Sequence, residues 1–191
     1  MAKIAVMASG SGSNFEALVK GLHGTSHKVE LLICDKQQAY ALTRAEKLEI
    51  PSYVVLYRGR KREEAEEDIL SILEKAQVDL VVLAGYMRLL SPTFVNPLKD
   101  KIINIHPSLL PKHPGTHGIE DSWKSDDSEM GITIHYVDQG MDTGPIIEQY
   151  SFVKEDKDTL DTVEKKIHSL EHKYYPEVII RLLDKIDLED K

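Results

Sequence analysis

Between residues 3 and 106, short apolar runs alternate with stretches of helical periodicity, and this alternation constrains the fold more than any other feature of the chain. Lys3 to Ala8, Val29–Cys34 and Tyr53–Leu56 read as strands. Asp79 to Ala84 is a continuous apolar run, as expected of a parallel strand covered on both faces. Between them, Phe15 to Leu22, Tyr40–Leu48 and Glu63 to Ala76 carry helical spacing; in the last, Ala65, Ile69, Ile72 and Leu73 recur near one side. Ser91-Pro92 is suited to opening a short helix. Such alternation implies an α/β fold with a doubly wound, mostly parallel sheet and right-handed crossovers. After Pro111 the pattern changes. Gly131–Val137 alternates like a strand, residues 138–145 form a turn, and Ile146 to Phe152 returns, which fits an antiparallel addition to the sheet. Asp158 to Ile186 is a long amphipathic helical stretch, expected to break near Pro176. No repeat or linker divides the chain, so residues 1–191 read as a single domain, long enough for a sizeable core.

The formal net charge of −8 argues against a nucleic-acid surface or an anionic membrane as main partner, while leaving room for a local basic pocket. A lone cysteine, Cys34, excludes an internal disulfide; its apolar surroundings suggest a buried thiol in a reducing compartment. The sequence shows no signal-peptide pattern and no apolar run long enough to cross a bilayer, so a cytoplasmic protein is expected.

Asn104-Ile105-His106 sits at the end of a short apolar run and is followed by Pro107-Ser108-Leu109-Leu110-Pro111, which cannot continue a strand's ladder. With a period of two, Asn104 and His106 share one face while Ile103 and Ile105 enter the opposite layer. Polar groups at a strand's C-terminal end lie where open α/β sheets bind ligands. Asn supplies a neutral donor and acceptor, and His exchanges a proton near neutrality. That pairing suits a carbonyl to be polarised and an amine to be relieved of a proton; a polar strand end capped by a turn is the plainer alternative. Asp142, in a Gly/Pro-flanked loop, can bend back toward His106, orient its ring and favour its protonated form, although spacing alone reads it as a turn residue. No serine or cysteine of this group looks like an activated nucleophile, so direct transfer is expected over a covalent intermediate.

Near the start, Ser9 to Asn14 forms a glycine turn between strand and helix, with Ser13 and Glu16 in capping-box spacing. Amides at such a helix start, helped by its dipole, suit a phosphate; a flexible Ser/Gly linker is the alternative. The turn is neither the dinucleotide fingerprint, since Phe15 holds the third glycine position, nor a P-loop. A basic cluster, Arg58, Arg60, Lys61 and Arg62, reads as a solvated loop that could also meet an anionic ligand tail. His168-Ser169-Leu170-Glu171-His172 matches the H-x-x-E-H of inverted zinc proteases. A catalytic zinc needs about three protein ligands, and no downstream helix offers the third, so polar residues of an amphipathic helix explain the spacing better. His113 and His117 read as loop histidines.

Gly12-Ser13-Asn14, Leu83 to Arg88, Asn104-x-His106-Pro-Ser-Leu-Leu-Pro and Met141-Asp142-Thr143-Gly144-Pro145, taken as an ordered set, resemble the phosphoribosylglycinamide formyltransferases, folate-dependent enzymes of purine synthesis. The resemblance covers essentially the whole length. It implies a Rossmann-like formyltransferase fold and transfer of a formyl group from 10-formyltetrahydrofolate to the amine of glycinamide ribonucleotide, with no metal. It further implies Asn104, His106 and Asp142 as the catalytic trio, and Gly12, Ser13, Asn14 and Glu171 as ribonucleotide contacts. Arg62, Met87, Arg88, Leu89 and Leu90 would hold the folate. The loop from Gly115 to Trp123 follows the family loosely, and its ligand role stays open. Related folate enzymes share the trio. Methionyl-tRNA formyltransferase carries an added tRNA-binding domain and would want a different charge; formyltetrahydrofolate hydrolase usually carries an extra N-terminal domain. That hydrolase, or a phosphate-ligand sensor without turnover, are the alternatives. A monomer or homodimer is expected.

Overall fold

The computed structural model describes residues 1–189. One seven-stranded sheet has the order β3-β2-β1-β4-β5-β6-β7. Strands β1 (Lys3–Ala8), β2 (Lys28–Cys34), β3 (Ser52–Val54), β4 (Leu80–Leu83) and β5 (Ile102–His106) run parallel. Strands β6 (Glu129–Tyr136) and β7 (Ile146–Val153) complete it antiparallel. The helices are α1 (Ser13–Leu22), α2 (Tyr40–Lys47), α3 (Arg62–Ala76), the short α4 (Pro92–Val95), α5 (Gly118–Lys124) and α6 (Leu160–Glu189). The doubly wound, mostly parallel sheet with an antiparallel extension and a long last helix is the architecture the alternation implies.

The strand period distributes side chains to two cores. Ile4, Val6 and Ala8 of β1 pack with Phe15, Leu18, Ile167 and Tyr175 on one face. Ala5 and Met7 meet Ile69, Leu73 and Phe94 on the other. Each fully buried aliphatic or aromatic side chain contributes about 1.5–3 kcal/mol, so both helix layers are held by the strands' alternation. Ile103 and Ile105 of β5 belong to the first core and Ile102 to the second, so Asn104 and His106 face the second layer's side. Cys34 is fully buried, and burial next to Asp35 pushes its thiol up to about 12.

Three local expectations are corrected. Helix α6 runs unbroken through Pro176. Proline in a helix interior costs about 3 kcal/mol, but Tyr175, Val178, Ile179 and Leu183 around it are all buried. Its ring also seats against Gly21, where an added Cβ would stand 2.4 Å from Pro176 Cβ. The third strand is Ser52–Val54 rather than Tyr53–Leu56, because at the sheet edge only β2 pairs with it. The segment from Gly115 to Trp123, read as a loop, contains most of α5.

Candidate active site

Chain direction reverses across β1: the chain moves outward to β2 and β3, then returns to β4 on the other side. Such a switch point opens a crevice at the strands' C-terminal ends. The glycine turn after β1, the Gly85–Leu90 loop after β4 and the end of β5 meet there. Ser9 ties the first two together: its amide donates to the Gly85 carbonyl at 3.0 Å, and its hydroxyl accepts the Met87 amide at 2.8 Å. The Tyr175 hydroxyl, fully buried, lies 2.9 Å from the Leu83 carbonyl and 3.2 Å from that of Ile103, bracing the ends of β4 and β5.

A cavity of about 280 Å³ lies in this crevice, and its walls include Asn104, His106 and Asp142 together with Met87, Arg88, Leu89 and Leu90. Asp142 Oδ2 stands 3.5 Å from His106 Nδ1, a contact longer than a good hydrogen bond, and accepts the Gly115 amide at 2.8 Å. His106 Nε2 is 2.8 Å from the His113 carbonyl. The rim is apolar: Met87, Leu89 and Met141 are 61%, 48% and 54% exposed. A carboxamide, an imidazole and a carboxylate beneath an apolar rim can orient a flat ring system and stabilise charge on an oxygen at the cavity floor.

Sequence reasoning missed His135. It lies opposite Asn104 in the β5–β6 register. Its Nδ1 is 2.8 Å from the Tyr136 carbonyl, which only accepts, so Nδ1 carries the proton and bare Nε2 accepts from Asn104 Nδ2 at 3.1 Å. Burial pushes the His135 pKa below its ordinary value, against the opposing pull of the Tyr136 carbonyl and Asp142. A neutral His135 thus fixes the Asn104 carboxamide with one N–H left for the cavity. The alternation of Thr133 and His135 against Ile132 and Ile134 signals a polar face, but not what it pairs with.

The Ser13 cap expected from sequence is not formed. Gly12, with φ 71°, is the N-cap, Ser13 is already helical, and no side chain caps α1. Glu16 instead pairs with Lys20 and Arg44, and Arg44 Nε donates to the Ser11 carbonyl at 2.9 Å. The first-turn amides are therefore free of a competing side chain. Asn14 Nδ2 donates to Glu171 Oε2 at 3.1 Å, and His168 Nδ1 donates to the same oxygen at 2.9 Å. Asn14 Oδ1 is buried without a partner. Of the H-x-x-E-H spacing, Glu171 thus faces the glycine turn, while the His168 and His172 rings stack with centroids 6.2 Å apart. Arg62 stands apart: it begins α3, lies nearest Glu63 (3.6 Å) and is outside the cavity wall. Arg88 does reach the wall, but its Nε donates to buried Asp35 at 2.6 Å and its guanidinium lies 4.1 Å from the Tyr57 ring centroid. Asp35 carries no sequence signal for this role.

Residues 2–179 match the formyl transferase family. The chain belongs to that family. This formyltransferase is 47% identical over 186 residues to phosphoribosylglycinamide formyltransferase of Bacillus subtilis, covering 96% of this chain and 95% of the relative. It superposes on the crystal structure of phosphoribosylglycinamide formyltransferase from Bacillus halodurans with a TM-score of 0.92 at 43% identity, over 96% of each chain. The Streptococcus pneumoniae enzyme of the same name gives 0.89 at 42%, over 96% of this formyltransferase and 99% of that chain. No helix among the described residues is long and apolar enough to cross a membrane.

Proposed function

We propose that this chain transfers the formyl group of 10-formyltetrahydrofolate to the amine of glycinamide ribonucleotide in purine biosynthesis, as one cytoplasmic formyltransferase domain over residues 1–191, monomeric or homodimeric. The observation that carries the reading is the contact of Asp142 with His106 in a cavity also walled by Asn104. Support for the ribonucleotide comes from the uncapped start of α1 and from the orphaned Asn14 Oδ1 beside Glu171, which leave amide donors for a phosphate and polar groups for a sugar. Support for the folate comes from the apolar rim of Met87, Leu89 and Met141 and from the Arg88–Leu90 wall.

In this reading the amine nitrogen attacks the formyl carbon, and the carbonyl electron pair moves onto oxygen. Asn104, oriented by His135, donates its remaining N–H to that oxygen, and the protonated ring of His106 stabilises the same charge from beside it. Asp142 orients that ring and balances its charge. The oxygen's electron pair then re-forms the carbonyl as the bond from carbon to the folate nitrogen breaks, that bond's pair stays on nitrogen, and one proton passes from the amine to that nitrogen. No side chain becomes acylated.

Purified protein mixed with 10-formyltetrahydrofolate should release deformylated folate only when glycinamide ribonucleotide is present, with the formyl group recovered on the amine. Release of formate without the ribonucleotide would make the protein a hydrolase. Ribonucleotide binding with no turnover would make it a sensor.

A further inference from the structure

The loop that follows the Pro-Ser-Leu-Leu-Pro wall contains a device behind the reactive imidazole. His106 Nε2 lies 2.8 Å from the His113 carbonyl oxygen. A carbonyl only accepts, so Nε2 carries a proton and Nδ1 is the nitrogen turned to Asp142. The Ser108 hydroxyl, 2.7 Å from the Lys112 carbonyl and 3.0 Å from that of His113, ties this stretch of backbone to the strand end. His113 itself has φ 54°, a left-handed conformation that a residue with a β-carbon keeps only when its surroundings hold it.

The holding group is Asp127. His113 Nε2 is 2.9 Å from Asp127 Oδ2, and the Lys112 ammonium binds the other carboxylate oxygen. Hydrogen bonds from Lys112 and His113 hold the Asp127 acid down at about 2, so it is a carboxylate at any working pH. Gly118 completes the seat: a Cβ there would stand 3.0 Å from His106 Nε2 and 3.4 Å from the His113 carbonyl. Neither the His113 nor the Asp127 side chain reaches the cavity of Asn104, His106 and Asp142; both line a separate depression. Their link to the reacting groups by contact therefore runs through the backbone.

We propose that His113 and Asp127 are positioning residues for His106: their side-chain contact fixes the left-handed backbone that presents the His113 carbonyl to Nε2. This holds the Nε2 proton on the carbonyl in both the charged and the neutral ring and aims Nδ1 at Asp142. The proposal rests on the reading of His106 as a participant in formyl transfer, but the tautomer itself is measurable without turnover.

The test uses the full chain, ¹⁵N-labelled, with ring nitrogens followed by long-range proton–nitrogen correlation at about pH 9, where a free imidazole is neutral. Wild type should show His106 as the Nε2–H form. His113→Ala removes the contact and keeps the β-carbon. It should mix the tautomers of the neutral ring at pH 9 and lower kcat about tenfold or more with KM for both substrates little changed, since a misplacement of about 1 Å can cost a catalytic group about a hundredfold. His113→Gly also lacks the contact but adopts the left-handed conformation freely, and should recover much of the lost kcat and the Nε2–H signal. Asp127→Ala should follow His113→Ala, and Asp127→Asn, which keeps an acceptor, should rescue it in part. An unchanged tautomer and kcat in His113→Ala would overturn the proposal, as would glycine and alanine variants equally impaired. Should His113→Ala fail to fold, the Asp127 pair decides on the same two readouts. If wild type fails to transfer formyl groups, the functional reading falls, while the tautomer comparison still judges this one.

Discussion

Replacing Asn104 with alanine removes a donor from the cavity and exposes how much of the rate depends on charge stabilisation. One lost oxyanion-hole donor typically costs about 10²–10³ in kcat, or about 2.7–4 kcal/mol. A second effect follows from His135, whose Nε2 accepts from Asn104 at 3.1 Å within a 2% exposed residue. Alanine leaves that nitrogen unpaired, at about 1–3 kcal/mol of folding stability. The variant should thus show two separable losses, one in turnover and one in the urea midpoint. Asn104→Asp separates them further: it keeps the shape, cannot donate when ionised, and adds negative charge near Asp142, so its kcat should fall at least as far. The assay is release of deformylated folate at saturating concentrations of both substrates, with urea unfolding of the same preparations. A kcat within about threefold of wild type for Asn104→Ala, or a loss expressed wholly in KM, would refute a role in stabilising charge during the reaction.

Gly12→Ala forces a β-carbon onto a residue at φ 71° and to within 2.6 Å of Ala41 Cβ and 2.7 Å of Ala41 Cα. The backbone conformation alone costs about 1–2 kcal/mol, and either the turn or α2 must shift, so KM for the ribonucleotide should rise at least about tenfold with that for folate little changed; steady-state kinetics against each substrate decide it. His168 titrates above its ordinary value because Glu171 accepts a hydrogen bond from its ring. A raised folded pKa means a stability contribution present in full below the unfolded value and lost as pH climbs through the folded one. The Tm difference between wild type and His168→Gln should therefore be largest below about pH 6 and shrink toward pH 8–9. Tyr175→Phe removes the hydroxyl that braces Leu83 and Ile103 and should cost about 1–2 kcal/mol in urea unfolding with an unchanged slope.

Much of the site was legible because its geometry is local. Asn104 and His106 share a face by the two-residue period of any strand, and the glycine turn announces itself by composition between a strand and a helix. The Asp142–His106 contact was reachable only as a possibility, since it depends on how the loop after β6 folds back over β5. His135 shows the boundary most plainly: its polarity is visible in the alternation of β6, but its partnership with Asn104 comes from an antiparallel register that no local pattern encodes. Asp35 beneath Arg88 and Asp127 behind His113 are likewise ordinary acidic residues until folding brings a cation or an imidazole to them.

The chain's pattern of apolar runs, turns and amphipathic helices by itself determined a doubly wound sheet and the strand end that carries the chemistry, because backbone periodicity acts over a few residues. Tertiary structure decided the rest. Helix α6 passes through Pro176 since burial against the sheet and Gly21 outweighs a local penalty, and His113 and Asp142, both with left-handed backbone, meet Asp127 and His106 across the chain. Those outcomes turn on contacts between residues far apart in sequence, whose energies are present only once the sheet has assembled.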